Sequence, residues 1–243
     1  MAEAKTTLQL LGGVDIHGLD RQAANRLLGQ PKHVALLSYL AIEGVGGRWQ
    51  RRDLLAALFW PELDQEHARA ALRKAVYALR AALTPEVILS RGDEELRLAD
   101  DLVSCDVAEF AVDVEAGRLA RALESYKGDL MPGFHIAGCG EFDRWLYDTR
   151  TELRERAAAT AWALARMLGD DSAFTEARKW AIRAVSYTWS DERTLRRALA
   201  LMARGGDRAG ALRLYDEFAS RLKADFDASP SAETVALVSQ IRG

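Results

Sequence analysis

Cysteine is nearly absent from this 243-residue chain: Cys105 and Cys139 lie far apart and form no CxxC pattern. That scarcity argues against a disulfide framework and a thiolate zinc site. Histidine is as thin, with His17, His33, His67 and His135 scattered and none paired at metal-ligand spacing. No GxxxxGK(S/T), GxSxG or HExxH segment occurs, so there is no phosphate-cradling loop, nucleophile elbow or zinc-protease helix. Carboxylate neighbours such as Asp170–Asp171 and Glu94–Glu95 fall at turns, where acidic residues serve solubility. The expectation is a protein that is not an enzyme and carries no cofactor or metal. Long apolar runs are lacking too: none approaches the ~20 residues of a membrane helix. The opening MAEAKTT has neither the basic nor the apolar region of a signal peptide. A cytoplasmic location with no membrane partner is expected.

An excess of positive charge is also missing. Net charge is -3, with 49% hydrophobic and 28% charged residues, the balance of a globular protein large enough to bury a sizeable core. Any contact with nucleic acid must therefore come from a local patch. Residues 1–103 hold 13 Lys and Arg against 14 Asp and Glu, but within 48–91 the count turns to 8 against 5.

That local bias sits in residues 50–98. A short helix from Arg51 to Phe59, with Leu54, Leu55 and Leu58 inward, ends at Trp60-Pro61. Asp64 then suits an N-cap, because its carboxylate can accept from the free amides of the next helix, and Glu66 suits the positive end of its dipole. Small and apolar positions 68, 72, 75, 76, 79 and 83 make an inward stripe at helical spacing. Arg69, Arg73, Tyr77 and Arg80 form an adjacent stripe, and Lys74, Ala70, Ala78 and Ala81 lie further round. Small alanines let such a helix approach a duplex closely while long cations reach phosphates or guanine edges. Thr84-Pro85 ends it. Two strand-like runs, 87–91 and 95–98, flank Gly92-Asp93-Glu94 and predict a hairpin with Arg91 beside its turn. Helix, turn, basic helix and hairpin is the order by which a winged helix-turn-helix meets DNA.

Before this stretch, 7–11 and 14–17 read as strands around Gly12-Gly13, and 25–28 as a third. Pro31 opens a helix that buries Val34, Leu36, Leu37 and Leu40, and Gly44, Gly46 and Gly47 stop it. After residue 103 strand signals fade. Seven helices are expected, at 107–116, 118–126, 141–168, 173–186, 191–204, 207–224 and 231–242. EARKWAIRAV (176–185) and GALRLYDEFA (210–219) repeat at an offset of 34 residues, the period of tetratricopeptide helix pairs. Phe134, Trp145, Trp180 and Trp189 read as core aromatics.

The stretch LLSYLAIEGVGGRWQRRDLLAALFWPELDQEHARAALRKAVYALRAAL resembles the DNA-binding domain of the Streptomyces antibiotic regulatory protein family, bacterial activators with an OmpR-type winged helix. SCDVAEF, ALESYKGDLMPGF and EFDRWLYDTRTELRERA resemble the bacterial transcriptional activator domain that follows it in that family. Departures are the alanines at 70, 75, 78 and 81, and Gln50 where a Ser or Thr cap is usual.

The resemblance implies a mainly α protein. Residues 1–103 would form an N-terminal winged helix (α+β), and 104–243 an all-α tetratricopeptide-like domain. It implies homodimerisation and contact with RNA polymerase. With the reading of the residues, it predicts a sequence-specific activator on double-stranded DNA, cytoplasmic and nucleoid-associated, with the 64–83 helix in a major groove. Arg73, Lys74 and Tyr77 are the candidates for base edges, Arg69 and Arg80 for phosphate, and Arg91 for the wing. Arg51 and Arg52, at the start of the preceding helix, are further phosphate candidates. The rival expectation is a protein-interaction adaptor whose winged helix no longer reads DNA.

Overall fold

A computed structural model describes residues 5–243. Strands β1 (Thr6–Gln9) and β2 (Asp15–His17) form an antiparallel pair. Next come α1 (Arg21–Leu28), α2 (Pro31–Glu43), β3 (Gln50–Arg51), α3 (Arg52–Phe59) and α4 (Gln65–Ala82). The hairpin β4 (Ile88–Arg91) and β5 (Glu95–Leu98) and the strand β6 (Val103–Cys105) follow. The remaining elements are helices: α5 (Asp106–Glu115), α6 (Leu119–Ser125), α7 (Gly140–Asp170), α8 (Phe174–Tyr187), α9 (Glu192–Arg204), α10 (Arg208–Phe226) and α11 (Ala232–Arg242). The protein is mainly α, as expected. Two compact units result. The first holds the chain up to Ala116 together with Glu124–Arg150, and the second holds Gly117–Leu123 with Thr151–Gly243.

In the first unit, α2 is apolar around its circumference, and every residue from Val34 to Ala41 is buried. A helix hydrophobic on all sides belongs in the middle of a core. Leu55 and Phe59 of α3 and Ala68, Leu72, Ala75, Val76 and Leu79 of α4 are buried as well. The inward stripe expected of α4 is therefore the one that packs, apart from half-buried Leu83; Leu54 of α3, expected inward, is 49% exposed. Strands β3, β5 and β4 form one sheet, with Gln50 opposite Leu96 and Ile88 opposite Leu98.

A second sheet runs β2-β1-β6, and β6 lies parallel to β1 with Leu8 opposite Cys105. Parallel neighbours need a long crossover, and here all the elements from β2 to β5 lie between them. Asp106 reinforces the junction: its carboxylate accepts from the Leu10 amide at 2.9 Å and the Leu11 amide at 2.9 Å. Sequence reasoning missed β6, whose three residues are too few to show alternation. Residues 25–28, which read as a strand in the sequence, end α1. The cap chemistry gave the helix away, since Asp20 accepts from the amides of Gln22 and Ala23 at 2.9 Å each and Gly29 closes the last turn.

Packing carries residues 104–116 and 124–150 into this first unit, whereas the sequence reading grouped them with the helical half. Phe142 of α7 is fully buried, with its ring centroid 5.3 Å from that of Phe59. Trp145 stacks obliquely on Tyr39 at 4.8 Å, and its indole N–H donates to Glu43 at 2.8 Å. Arg150 donates to the carbonyls of Leu130 at 2.7 Å and Phe134 at 3.2 Å.

In the second unit α8 packs on α9, and α10 and α11 pack on α9 and on each other. The 34-residue repeat is structural: Ala177 of α8 and its counterpart Ala211 of α10 are both fully buried. Small residues there let neighbouring helices come close around Leu195, Ala198, Leu199 and Phe218. Asp191 and Asp207 cap α9 and α10. Glu192 accepts from the Ser231 amide at 3.0 Å and from the hydroxyls of Ser231 and Thr234, which fastens α9 to α11. Trp180 packs half-buried against this core, and Trp189 stacks on Phe226 at 5.6 Å.

Candidate nucleic-acid interface

The site begins with α4, the long helix of the winged helix-turn-helix formed by α2, α3, α4 and the β4–β5 hairpin. Asp64 caps it, accepting from the His67 amide at 3.0 Å. That bond, and a second from the His67 ring, hold the Asp64 carboxyl below its usual range. With Glu66 also in the first turn, the helix start is acidic. Its cations lie further along.

The structure sorts those cations into two groups. Arg73, Lys74 and Tyr77 point outward together. Tyr77 is 76% exposed, and Arg73 and Lys74 are exposed with no ion pair among the described residues. Arg69 and Arg80 are held inside the motif. Arg69 Nε donates to Asp53 of α3 at 2.6 Å, and its guanidinium lies 3.8 Å from Glu94 in the hairpin turn. The Asp53 partner pushes the Arg69 pKa up, and the same bond pushes the Asp53 carboxyl down. Arg80 donates twice to the Ile88 carbonyl, at 3.1 and 2.6 Å, and once to the Ser90 hydroxyl at 3.1 Å. These two arginines clamp α4 against α3 and β4.

Arg52 converges on the same hydroxyl, donating to Ser90 at 3.1 Å. Two guanidiniums therefore meet at one Ser90 oxygen. Burial and then the charge of Arg80 push the Arg52 pKa down, Asp93 opposes, and Arg73 and Arg69 add to the repulsion. The Arg52 Nε is buried without a hydrogen-bond partner among the described residues. Two like charges against one neutral oxygen leave capacity for an anion. Arg51 is exposed on β3 at the head of α3.

At the hairpin tip, Arg91 pairs with Glu95 across the strands. Its guanidinium also lies 5.0 Å from the Trp49 ring, and that of Arg97 lies 5.1 Å from the same ring, within cation–π range. Sequence reasoning missed Asp53, Ser90, Trp49 and Arg97. The alternation in RWQR was the available signal. Gln50 turns inward to donate to the Glu43 carbonyl at 3.2 Å, so Trp49 and Arg51 fall on the outer face.

Among the described residues no group of three or more His, Cys, Asp or Glu is placed to hold a metal ion, and no helix is long and apolar enough to cross a membrane. Cys105 is buried, and that burial, followed by the Asp106 charge, pushes its thiol up to about 12, which makes it a poor nucleophile.

The model of the bacterial transcriptional activator domain matches residues 97–242, more than half of the chain. The chain belongs to the bacterial transcriptional activator domain family. Among solved structures it is similar to Mycobacterium tuberculosis EmbR in complex with a low affinity phosphopeptide. That match has a TM-score of 0.63 and 19% identity, and covers 99% of this chain and 65% of that one. The chain thus spans just under two thirds of the EmbR chain's length, and the likeness concerns the fold. A search of curated proteins returns no match. Membership of the activator-domain family supports a role in transcriptional regulation.

Proposed function

We propose that this regulator is a sequence-specific activator that lays α4 in the major groove of double-stranded DNA. The observation that carries the reading is the division of the cations. Arg73, Lys74 and Tyr77 form one free outward face, and beside it Arg52 and Arg80 share a single neutral oxygen. Arg73 and Lys74 read base edges and Tyr77 packs on the bases or sugar. Arg52 and Arg80 receive a phosphate, and Arg51 a second one. Arg91 sits at the wing. Arg69 reaches phosphate only by leaving Asp53, so its first role is to hold α3 to α4. Because the first turn of α4 is acidic, the middle of the helix, and not its start, enters the groove.

The helical unit pairs two copies on repeated half-sites, since one small module seldom supplies enough affinity alone, and it contacts RNA polymerase. The protein works in the cytoplasm at the nucleoid. One observation favours an adaptor instead: Arg69 and Arg91 are already matched by Asp53, Glu94 and Glu95, which thins the positive band.

Selection of genomic fragments with the purified chain tests the choice, followed by fluorescence anisotropy of the enriched site across salt. One enriched motif is expected. Each lost base contact should weaken binding by about 1–3 kcal/mol. For each phosphate contact removed, the slope of log K against log salt should fall by roughly 0.9. If no motif enriches, and Arg73→Ala/Lys74→Ala binds low-salt DNA as tightly as wild type, the DNA reading fails and the adaptor stands.

A further inference from the structure

The second unit has a groove that the DNA reading does not use. One wall is a single face of α7, carrying Arg154, Ala158, Ala159 and Trp162. The other wall is the first turns of α9, with Arg193 and Arg197, and the α8–α9 loop closes the floor. The cavity measures about 640 Å³, within the range of ligand sites. Ala158 and Ala159 explain why it exists, because two methyl groups stand where larger side chains would fill the space.

Its charge is positive on balance. Arg193 and Arg197 are exposed, a turn apart on α9, with no ion pair among the described residues. The Arg197 guanidinium lies 5.9 Å from the Trp162 ring, close enough for the indole face to attract it. Of the two acids in the lining, Asp191 is committed: it accepts from the Arg193 amide at 3.0 Å, the Thr194 amide at 3.3 Å and the Thr194 hydroxyl at 2.5 Å. Glu155 is the other. The groove thus sets three arginines, Arg154, Arg193 and Arg197, beside an aromatic wall and against two carboxylates, of which Asp191 is spent on the head of α9 and also acts on the Arg193 charge.

Its length decides between ligands. The α7 wall runs from Thr151 to Trp162, a distance of roughly 16 Å at 1.5 Å per helical residue. That accommodates about five residues of extended chain and far exceeds a single ion. Stacked helix pairs present such concave surfaces to other proteins, and arginine clusters recognise acidic motifs.

We propose that this groove binds a short, extended, acidic segment of a partner protein, with Arg193 and Arg197 taking its carboxylates and Trp162 an apolar side chain. The inference is independent of the DNA reading, because every residue in it belongs to the second unit. The probe is a phage-displayed library of random heptapeptides panned against the full chain. The best enriched peptide is then synthesised with a fluorescein label and titrated with wild type and variants. Enrichment of Asp and Glu is expected. Arg193→Glu/Arg197→Glu should weaken binding at least about tenfold, the equivalent of 1.4 kcal/mol. Ala159→Trp, which fills the groove and keeps every charge, should do the same. Both variants should retain the wild-type circular dichroism and affinity for DNA. Ala159→Trp carries the test alone if the charge variant unfolds. The proposal is overturned if no peptide enriches, if the enriched peptides are not acidic, or if they bind a folded variant within twofold of wild type.

Discussion

Arg52 and Arg80 should repel each other in the free protein, and a double-mutant cycle measures by how much. Arg80→Ala removes two hydrogen bonds to the Ile88 carbonyl and one to Ser90. Hydrogen bonds from a charged donor contribute roughly 1.5–3 kcal/mol, and the half-exposed setting puts this cluster near 2.5. Arg52→Ala removes one bond to Ser90, about 1 kcal/mol. Each single variant also relieves the repulsion. Both guanidiniums lie 3.1 Å from the same oxygen, so their charges interact by about 1 kcal/mol in a largely solvated setting. Net losses are then about 1.5 kcal/mol for Arg80→Ala and near zero for Arg52→Ala. The double variant loses about 2.5, roughly 1 kcal/mol more than the sum of the singles. Urea unfolding reads these differences, with hydrogen exchange at the β4–β5 hairpin to confirm that the first unit is responsible. In 1 M salt, where the screening length is about 3 Å, most of the coupling should disappear. Exposed Arg73→Ala should stay within about 0.5 kcal/mol of wild type. Additive singles at 0.15 M salt would refute the crowding of charge at Ser90, and with it the argument that this spot awaits a phosphate.

The other predictions concern the frame. Phe142→Ala should destabilise the first unit by about 3–5 kcal/mol, read by thermal unfolding, because its ring is fully buried against Phe59, Phe134 and Trp145. Gly12→Ala should cost about 1–2 kcal/mol for the left-handed backbone alone. Gly12 has φ +83°, and a Cβ would stand 3.0 Å from the Lys127 backbone; a Gly12→Ala midpoint equal to wild type would contradict that contact. Acid should loosen α11 first. Partial burial pushes Glu192 up, but hydrogen bonds from Ser231 and Thr234 outweigh it and hold the carboxyl below its ordinary 4.5. Its contribution is therefore complete above about pH 4.5 and is lost as pH falls through the lower folded value. Hydrogen exchange in α11 should rise over that window, and Glu192→Gln should flatten the response.

Much of this architecture was legible, and the exceptions share a cause. Seven helices after residue 103 were expected and seven formed, because all but the seven-residue α6 repeat their apolar residues over several turns. The 34-residue repeat was visible as two aligned segments, and the fully buried counterparts Ala177 and Ala211 lie in them. Short elements failed. β6 is three residues long and owes its existence to β1, some hundred residues earlier in the chain. α1 has eight residues, and its Leu27-Leu28 pair imitates a strand when Asp20 and Gly29 are overlooked. The grouping of residues 124–150 with the first unit rests on Phe142 and Trp145 meeting Phe59 and Tyr39, a contact that local periodicity cannot announce.

The arginines of α4 show the same limit at the scale of function. Arg69, Arg73 and Arg80 share one stripe, so helical spacing assigns them one role. What separates them comes from outside the helix. Asp53, sixteen residues earlier, takes Arg69; the Ile88 carbonyl, eight residues later, takes Arg80. Only the middle of the stripe is left free, and it is there that Lys74 and Tyr77 join Arg73. A free cation costs little to bring to a polyanion, whereas a paired one must first give up its carboxylate. If the protein reads DNA, substitutions at 73, 74 and 77 should therefore change which sequence is bound and leave unfolding unchanged. Substitutions at 69 and 80 should weaken binding to every sequence alike, in step with the loss of stability. Measuring both properties on the same five variants separates a helix that reads bases from one that is merely basic.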